Sequence, residues 1–322
     1  MGKPNVYVTR QLPEDIIGPL RETAHVRMWD KEYEPVPRDV LLEESRKADG
    51  LLTMLSDAID EALLTQSPHL KVVVNLAVGY DNIDVDAAQK REIMTCHTPD
   101  VLTETTADLA FSLLMATARR IPEAVDYVRN DQWKNWGPFL MAGQDIHHRN
   151  LGIVGMGRIG EAVAKRARGF DMNVLYYNRS RKPEAEDRYQ ASYCSFYELL
   201  KQSDYVLCLT PLTPETKHLF NAEAFQLMKN EAFFINVSRG AVVDETALIH
   251  ALRNQDIAGA GLDVFADEPI NASHPLLAFN QVVALPHIGS ASVDTRREMV
   301  ALARDNLQAV LQGKAPLTPI AK

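Results

Sequence analysis

The chain has 322 residues, which at about 100 to 200 residues per domain predicts two domains. Apolar residues make up 46% of it and charged residues 24%, as in soluble globular proteins, which excludes disordered, fibrous and disulfide-stapled chains. The net charge of −9, without a run of Lys and Arg, argues against nucleic acid or an anionic membrane surface as a partner.

The three cysteines, Cys96, Cys194 and Cys208, lie far apart and form no metal-binding or redox spacing. We expect them to be buried thiols in a reducing compartment. The first residues contain no apolar targeting segment, and the apolar stretch at residues 109–118 is too short to span a bilayer. The sequence therefore predicts a cytoplasmic protein without a membrane span.

Short β-branched runs alternate with helical patterns over the first hundred residues. Strands are predicted at residues 6–8, 50–54 and 72–76, and helices at residues 13–23, 57–64 and 84–91. This alternation is typical of a parallel sheet whose strands are joined by helical crossovers.

Residues 103–120 are predicted to form a long connecting helix, capped by Thr103 or Thr105. Residues 130–150 are rich in Trp, Asn and Gly and are predicted to be irregular. The alternation then resumes, with strands at 151–154, 173–177, 205–209, 232–236, 258–262 and 282–285, and helices at 157–170, 197–202, 222–228, 244–253 and 293–312.

The last of these helices follows the final strand of the second series, so it is free to pack on the first domain. We therefore predict two doubly wound parallel-sheet α/β domains. One is flavodoxin-like and consists of residues 1–102 with 290–322, and the other is inserted into it as residues 103–289. Ligands are expected in a cleft between the two domains.

Gly155, Gly157 and Gly160 form a G-x-G-x-x-G pattern, completed by Arg158 and Ile159, directly between a predicted strand and a predicted helix. The first glycine permits a tight turn, the second lets the backbone approach a pyrophosphate, and the third lets the helix pack closely. The helix N-terminus adds partial positive charge. This context predicts a Rossmann dinucleotide site rather than a purely structural glycine turn.

The next predicted strand ends at Asn178, Arg179 and Ser180, where an NAD site places an acidic residue for the ribose 2′-hydroxyl. No carboxylate stands at these three positions. A guanidinium can bind a 2′-phosphate through two hydrogen bonds, and the neighbouring Asn and Ser can donate more. We therefore predict NADPH as the cofactor, with Arg181 and Lys182 adding charge. The alternative is a solvated basic loop at a site that also accepts NADH.

Three later segments stand at predicted strand ends: residues 236–245, 261–269 and 285–290. Together with the glycine pattern and with residues 75–84 and 209–216, they resemble the D-2-hydroxyacid dehydrogenase family, in order along nearly the whole chain. Within that family the chain is most similar to the glyoxylate/hydroxypyruvate reductase and 2-ketogluconate reductase branch, because the acidic residue is missing after the strand at 173–177.

The resemblance implies hydride transfer between NADPH and small 2-oxo acids. Arg239 would bind the substrate carboxylate, because a guanidinium forms two parallel hydrogen bonds with it. His287 would protonate the carbonyl oxygen, since the ordinary pKa of histidine, about 6.5, lies near neutral pH. Glu268 would orient the imidazole and favour its protonated form. Taken singly, these residues could instead be a surface arginine, a turn cap and a core histidine.

The resemblance also implies further contacts to the two ligands. For the cofactor these are Pro211, Val237, Ser238 and Asp263, the last toward the nicotinamide amide. For the 2-oxo or 2-hydroxy acid they are Leu55, Ser56, the backbone of Val78 and Gly79, and Ser290, besides Arg239 and His287.

The apolar cluster formed by Trp133, Trp136 and residues 139–141 lies in a segment that contributes to a homodimer interface in this family, so a homodimer is expected. Local packing on the cofactor domain is the alternative. His147 and His148 are predicted to lie in a solvated turn rather than at a metal site, because no third ligand is suitably spaced. Beyond enzymes, family-like corepressors use the same fold to sense dinucleotides, so a sensing protein remains a competing function.

Overall fold

The computed structural model describes residues 2–320, which fall into two compact units. The first unit contains the residues up to Leu102 together with those from Ala291 onwards, and the second is Thr103–Ser290. Within the described residues, no helix combines the length and the apolar character needed to cross a membrane.

The strands are β1 (Asn5–Val8), β2 (His25–Met28), β3 (Gly50–Thr53), β4 (Val72–Asn75), β5 (Met94–Cys96), β6 (Asn150–Val154), β7 (Asn173–Tyr177), β8 (Ser192–Tyr193), β9 (Tyr205–Cys208), β10 (Phe233–Asn236), β11 (Gly259–Leu262) and β12 (Val282–Ala284). The helices are α1 (Glu14–Ile17), α2 (Arg38–Ser45), α3 (Glu61–Thr65), α4 (Val85–Lys90), α5 (Thr103–Ala118), α6 (Ile121–Arg129), α7 (Arg158–Ala167), α8 (Pro183–Tyr189), α9 (Phe196–Gln202), α10 (Ala222–Leu227), α11 (Glu245–Asn254) and α12 (Val293–Leu311).

The first unit is built on a parallel sheet with the strand order β2-β1-β3-β4-β5. Its central strands β3 and β4 are buried along their whole length, as expected for parallel strands covered on both faces. Helix α12 packs against β3 and β4. Gly50 allows this approach, because a Cβ atom there would lie 3.0 Å from Leu307 Cδ2.

The second unit is built on a seven-stranded parallel sheet with the order β12-β11-β10-β9-β6-β7-β8. Buried apolar clusters lie on its strands and helices, one including residues of α5 and α7 and the other residues of α9, α10 and α11. The winding direction reverses between neighbours β6 and β9, which is where such sheets bind ligands. The prediction of two doubly wound parallel-sheet α/β domains is confirmed.

Several predicted helices are interrupted in the structure. The helix predicted at 13–23 is α1 followed by a 3₁₀ turn at Gly18–Glu22 that contains Pro19. The helix predicted at 57–64 begins only at Glu61, because the Asp60 side chain accepts from the backbone of Leu63 and caps it. The helix predicted at 103–120 ends at Ala118, since Arg120 has a left-handed backbone and a new helix, α6, begins there.

Candidate functional site

The glycine loop follows β6 at the switch point of the second sheet. Gly155 has a φ of +107°, and a Cβ atom there would lie 2.7 Å from the backbone carbon of Leu209, which follows β9. At Gly160 a Cβ atom would lie 2.5 Å from the carbonyl oxygen of Gly155, so only glycine lets α7 start this close to the loop. Gly157 faces open space at the N-terminus of α7, next to exposed Arg158. This backbone fits a pyrophosphate.

The three residues predicted to bind a 2′-phosphate follow β7, and they differ in their surroundings. Asn178 is tied to the glycine loop, because its side-chain oxygen accepts from the Met156 N–H at 2.9 Å and its amide donates to the Met156 carbonyl at 3.3 Å. Arg179 and Ser180 are exposed. The pKa of Glu215 is lowered, mainly by its hydrogen bond with Thr213. The positive charge of Arg179 nearby lowers it further.

The next two residues, Arg181 and Lys182, are both basic, but Arg181 has an acidic partner. Both guanidinium nitrogens Nε and Nη2 of Arg181 donate to the carboxylate of Glu186, at 2.7 Å each. The Tyr176 hydroxyl donates to the same carboxylate, and these bonds lower the pKa of Glu186 to about 2. The charge of Arg181 is therefore largely balanced locally, and it adds less positive potential than the sequence indicated. Lys182 is exposed.

Arg239, Glu268 and His287 lie beyond the carboxyl ends of three neighbouring strands, β10, β11 and β12. The Nδ1 atom of His287 lies 2.8 Å from the carboxylate Oε2 of Glu268, so Nδ1 carries the hydrogen and donates it. The second carboxylate oxygen accepts from the Phe265 N–H at 3.0 Å, which fixes the carboxylate in place. Nε2 of the imidazole is thus left for a ligand.

The electrostatics of this pair favour an ionised carboxylate. Burial raises the pKa of Glu268, but the hydrogen bond from His287, the Phe265 N–H and the charge of Arg239 outweigh it, so its pKa lies below the ordinary value. An ionised Glu268 stabilises a positively charged imidazole. Such a pair can donate a proton to a developing oxyanion and take it back in the reverse reaction.

Asn236 shapes the loop that carries Arg239. Its side-chain oxygen accepts from the N–H and the hydroxyl of Ser238, at 3.0 and 2.9 Å, and its amide donates to the Arg239 carbonyl at 3.1 Å. Gly240 lets this loop touch the next one, since a Cβ atom there would overlap the backbone carbon of Phe265. The Arg239 loop and the Glu268 loop are therefore held together by direct backbone contact.

Asp263 lies beneath the loop that carries His287. It is 1% exposed, and its Oδ1 atom accepts from the Ile288 N–H at 2.7 Å. Burial raises its pKa, while the backbone bonds and the His287 charge act in the opposite direction. His287 itself has a left-handed backbone, with a φ of +55°. Asp263 therefore holds this loop in an unusual conformation, a contact that the sequence did not indicate.

The remaining predicted cofactor contacts lie at strand ends of the same sheet. Val237 is buried after β10, and the Ser238 hydroxyl lies 3.2 Å from the Cys208 thiol. Pro211 is exposed in the loop after β9, where its carbonyl accepts from the Thr216 hydroxyl at 2.7 Å. Ser290 is partly buried at the end of the unit.

The predicted substrate residues of the first unit lie on two loops, Leu55 and Ser56 after β3 and Val78 and Gly79 after β4. An asparagine pair connects the loops. Asn75 donates to the Gly79 carbonyl at 2.9 Å and to the Asn82 side chain at 3.0 Å. Asn82 in turn donates to the carbonyls of Met54 and Asp57, at 3.0 and 2.9 Å. The two loops therefore form one braced edge of the first sheet.

Sequence reasoning missed four other residues at this edge. They are Asn75, Asn82, His97, whose Nδ1 atom donates to the Val78 carbonyl at 2.8 Å, and Arg10, which donates to the Ser56 hydroxyl at 2.7 Å. The sequence did offer one signal, their position near strand ends: Arg10 lies two residues after the strand predicted at 6–8, and Asn75 is the only polar residue of the strand predicted at 72–76.

His147 and His148 are both exposed, and their rings lie edge to face with centroids 5.2 Å apart. In the described part of the chain, no three His, Cys, Asp or Glu side chains come close enough together to hold a metal ion. The apolar cluster remains open to solvent, with Trp136 78% exposed and Phe139 85% exposed. Local packing therefore does not account for these two side chains.

The fold and the glycine loop define a dinucleotide-binding, doubly wound α/β protein. The profile of the NAD binding domain of D-isomer specific 2-hydroxyacid dehydrogenases matches residues 111–289. A glyoxylate reductase of Thermococcus gammatolerans is 48% identical over 324 residues, which cover 99% of this chain and 96% of the relative.

Two solved structures are also similar. The TT0316 protein of Thermus thermophilus has a TM-score of 0.92 and 44% identity, over 98% of this chain and 100% of that one. The NADPH-dependent glyoxylate/hydroxypyruvate reductase of Sinorhizobium meliloti, in complex with NADP and malonate, has a TM-score of 0.87 and 33% identity, over 99% of this chain and 97% of that one.

The chain therefore belongs to the D-isomer specific 2-hydroxyacid dehydrogenase family. Its second unit is a nicotinamide dinucleotide-binding domain. The resemblance to this family and to its glyoxylate reductase branch is confirmed.

Proposed function

We propose that this protein is an NADPH-dependent reductase of small 2-oxo acids, namely glyoxylate, hydroxypyruvate and 2-ketogluconate, which it reduces to the corresponding 2-hydroxy acids, with D-configuration where the product is chiral. The observation that carries the proposal is the 2.8 Å bond between His287 and Glu268, beside Arg239, at the ends of neighbouring strands of the dinucleotide-binding sheet. The names of the relatives from Thermococcus and Sinorhizobium support the substrate class.

The proposed chemistry assigns one task to each of these residues. Arg239 binds the substrate carboxylate through its two-pronged guanidinium and polarises the neighbouring carbonyl. NADPH, when held by the second unit, would supply the hydride for the carbonyl carbon. His287 gives its proton to the carbonyl oxygen, and Glu268 keeps the imidazole oriented and charged until then. In the oxidation of the alcohol, neutral His287 accepts the proton.

Further substrate contacts are proposed for each unit separately, and the cofactor contacts are proposed for the second unit. Backbone N–H groups at the turn of Val78 and Gly79 would bind the substrate carboxylate, with Leu55, Ser56 and Ser290 as further contacts. The cofactor would contact the glycine loop, including Ile159, and also Pro211, Val237, Ser238 and Asp263.

The test of the activity is the absorbance of NADPH with glyoxylate, hydroxypyruvate and 2-ketogluconate. We expect turnover with at least one of them, and D-configuration in the product formed from hydroxypyruvate. A cofactor-sensing protein without catalytic activity would give no turnover with any 2-oxo acid, and that result would reject the proposal.

The preference for NADPH is proposed from exposed Arg179 and Ser180 and from the absence of an acidic residue at positions 178–180. A 2′-phosphate gains charge-assisted hydrogen bonds from such residues, whereas the 2′-hydroxyl of NADH gains little. Steady-state kinetics with both cofactors measures this. We expect a higher kcat/KM for NADPH, and an equal or higher value for NADH would contradict the assignment.

A homodimer is proposed from the exposed apolar side chains of α6 and of the segment that follows it. Ile121, Val125 and Val128 are exposed on one face of α6, and Trp136 and Phe139 are exposed in the segment that follows. In light-scattering chromatography we expect the parent protein to elute as a dimer and the double variant Trp136→Glu/Phe139→Glu to elute as a monomer. Tyr33→Glu is the control, because Tyr33 is equally exposed, at 88%, in the first unit.

A further inference from the structure

A buried arginine lies at the switch point of the first sheet. Arg10 follows β1 and Ser56 follows β3, and these strands are neighbours in the order β2-β1-β3-β4-β5. The chain leaves β1 toward one edge of the sheet and β3 toward the other. Open α/β sheets bind ligands outside the carboxyl ends of their strands at such a reversal. The mechanism proposed above gives Arg10 no task.

The burial of Arg10 is compensated by a partner of opposite charge. Arg10 is 9% exposed and Asp57 is 3% exposed, and Nη1 of the guanidinium lies 3.7 Å from Oδ1 of the carboxylate. Asp57 is itself satisfied, since its Oδ2 atom accepts from the Met54 N–H at 2.7 Å and from the Thr9 hydroxyl. The Nη1 atom of Arg10 also donates to the Thr9 carbonyl at 2.6 Å, so the guanidinium is held from more than one side. The Arg10 guanidinium is therefore a rigid donor directly below the surface.

The hydrogen bonds of Ser56 have a defined direction. A guanidinium has no acceptor, so in the 2.7 Å contact between Arg10 Nη2 and Ser56 Oγ the arginine donates and the serine accepts. Among the described residues, the acceptor placed near the Ser56 hydroxyl is Asp57 Oδ1, at 3.5 Å, which is long for an O–H···O bond. Ser56 is exposed. Its hydroxyl proton is thus available to a molecule bound from solvent.

We propose that Arg10 is a positioning residue that makes the Ser56 hydroxyl a dedicated hydrogen-bond donor to an oxygen atom of the substrate anion. The inference rests on the proposed function and deepens it by naming a determinant of substrate class. Donation from a charged guanidinium strengthens the serine as a donor, because linked hydrogen bonds polarise one another. The site therefore favours substrates that present a carboxylate, carbonyl or hydroxyl oxygen here and disfavours an ammonium group.

The loop that carries Ser56 is held by contacts other than the bond from Arg10. The Asn82 amide holds it through the carbonyls of Met54 and Asp57, and the Asp57 carboxylate accepts from the Met54 N–H within it. Removing the bond from Arg10 should therefore change the direction of the serine hydroxyl and leave the loop in place. This separates a positioning role from a purely structural one.

The test is a double-mutant cycle with Ser56→Ala and Arg10→Met, read out as the Kd of oxalate for the NADPH-bound protein and as the KM and kcat for glyoxylate. We expect each single variant to weaken oxalate binding and raise KM by about ten-fold, the usual range for a hydrogen bond to a charged group. In the double variant we expect no further loss, because both changes remove the same bond. NADPH affinity should stay unchanged.

Arg10→Lys covers the possibility that Arg10→Met unfolds the protein, because lysine keeps the charge beside Asp57. We expect a melting temperature near that of the parent and a KM between those of the parent and Ser56→Ala. Arg46→Met, which removes an exposed arginine of the same unit, is the control and should change nothing.

Three results would overturn the inference: unchanged oxalate binding in Ser56→Ala, fully additive losses in the double variant, or no oxalate binding to the parent protein. A parent protein that binds oxalate but reduces no 2-oxo acid would reject the proposed function instead. The two failures are therefore distinguishable.

Discussion

A substitution of one side chain, Arg239, can show whether the substrate is bound through the geometry of the guanidinium or through its charge alone. Its loop is fixed by Asn236, and its Nη1 atom donates to the Ser238 carbonyl at 2.9 Å, so the guanidinium is held before a ligand arrives. Lysine keeps the charge but cannot form two parallel bonds. We expect Arg239→Lys to lower kcat/KM for glyoxylate by about 100-fold, the usual loss for one preorganised donor.

The control for this variant is Arg253→Lys, which changes an exposed arginine on α11. It should leave kcat/KM as it is. Activity within about two-fold of the parent in Arg239→Lys would show that a point charge is sufficient and would remove the two-pronged contact from the mechanism.

The His287–Glu268 pair predicts a pH dependence. The pKa of Glu268 lies below its ordinary value, so the carboxylate is ionised at neutral pH and favours the imidazolium. In Glu268→Gln the shape is kept and the charge is lost. We therefore expect a lower kcat for reduction and an alkaline limb of the pH–rate profile that moves to lower pH. If kcat falls at every pH while the alkaline limb stays at the same pH, Glu268 only orients the imidazole ring.

Single residues also show what the sequence can reveal about a site. The sequence predicted that Arg239, Glu268 and His287 follow strands, and each of them does lie beyond a strand of the second sheet. Their catalytic roles were implied by the family resemblance and stay a prediction. Arg10 was not identifiable, because its contact with Ser56 depends on β1 lying next to β3, which only the strand order determines. Asn178 was assigned to the cofactor phosphate, and its bonds with Met156 depend on a loop geometry that the sequence does not display.

At the scale of elements, burial decided which strands and helices were predictable. Strands such as β4, β9 and β10 are buried throughout and appear as continuous apolar runs. Elements with little burial were missed: β2, β8, α2, α6 and α8. Helix α8, for example, has one buried residue, Ala185, and begins at Pro183. Its helical period is too weak to be seen without the rest of the fold. Strand β5 was missed although Thr95 and Cys96 are buried, because it has only three residues.

The contact between the Arg239 and Glu268 loops gives a prediction for two elements together. In Gly240→Ala the new methyl group would overlap the backbone of Phe265, so the loops beyond β10 and β11 must separate. We expect a lower melting temperature and a loss of kcat/KM of about ten-fold or more, because misplaced catalytic groups lose rate steeply. Gly169→Ala is the matched control, since nothing lies within 4 Å of a Cβ atom there. A Gly240→Ala protein with normal kinetics would show that the loops tolerate separation.

For the whole molecule, the net charge of −9 has to be reconciled with an anionic cofactor. The Debye length is about 10 Å at 0.1 M salt, so above that concentration the distant negative charges are already screened. Further salt therefore weakens mainly the short-range attraction between the cofactor phosphates and the side chains of Arg158 and Arg179. Between about 0.1 and 0.5 M NaCl we therefore expect the KM for NADPH to rise. NADH lacks the 2′-phosphate and should show a smaller rise, and equal rises would place the phosphate away from Arg179.

The path of the chain through the first unit has a consequence for protein synthesis. Helix α12 packs against β3 and β4 and supplies buried Met299, Val300, Ala303 and Leu307, yet it is translated after the entire second unit. The second unit is continuous and can fold on the ribosome as soon as it emerges. The first sheet lacks its covering helix α12 during the time needed to translate almost two hundred residues. During that interval its exposed apolar surface is the part of the nascent chain most in need of a chaperone.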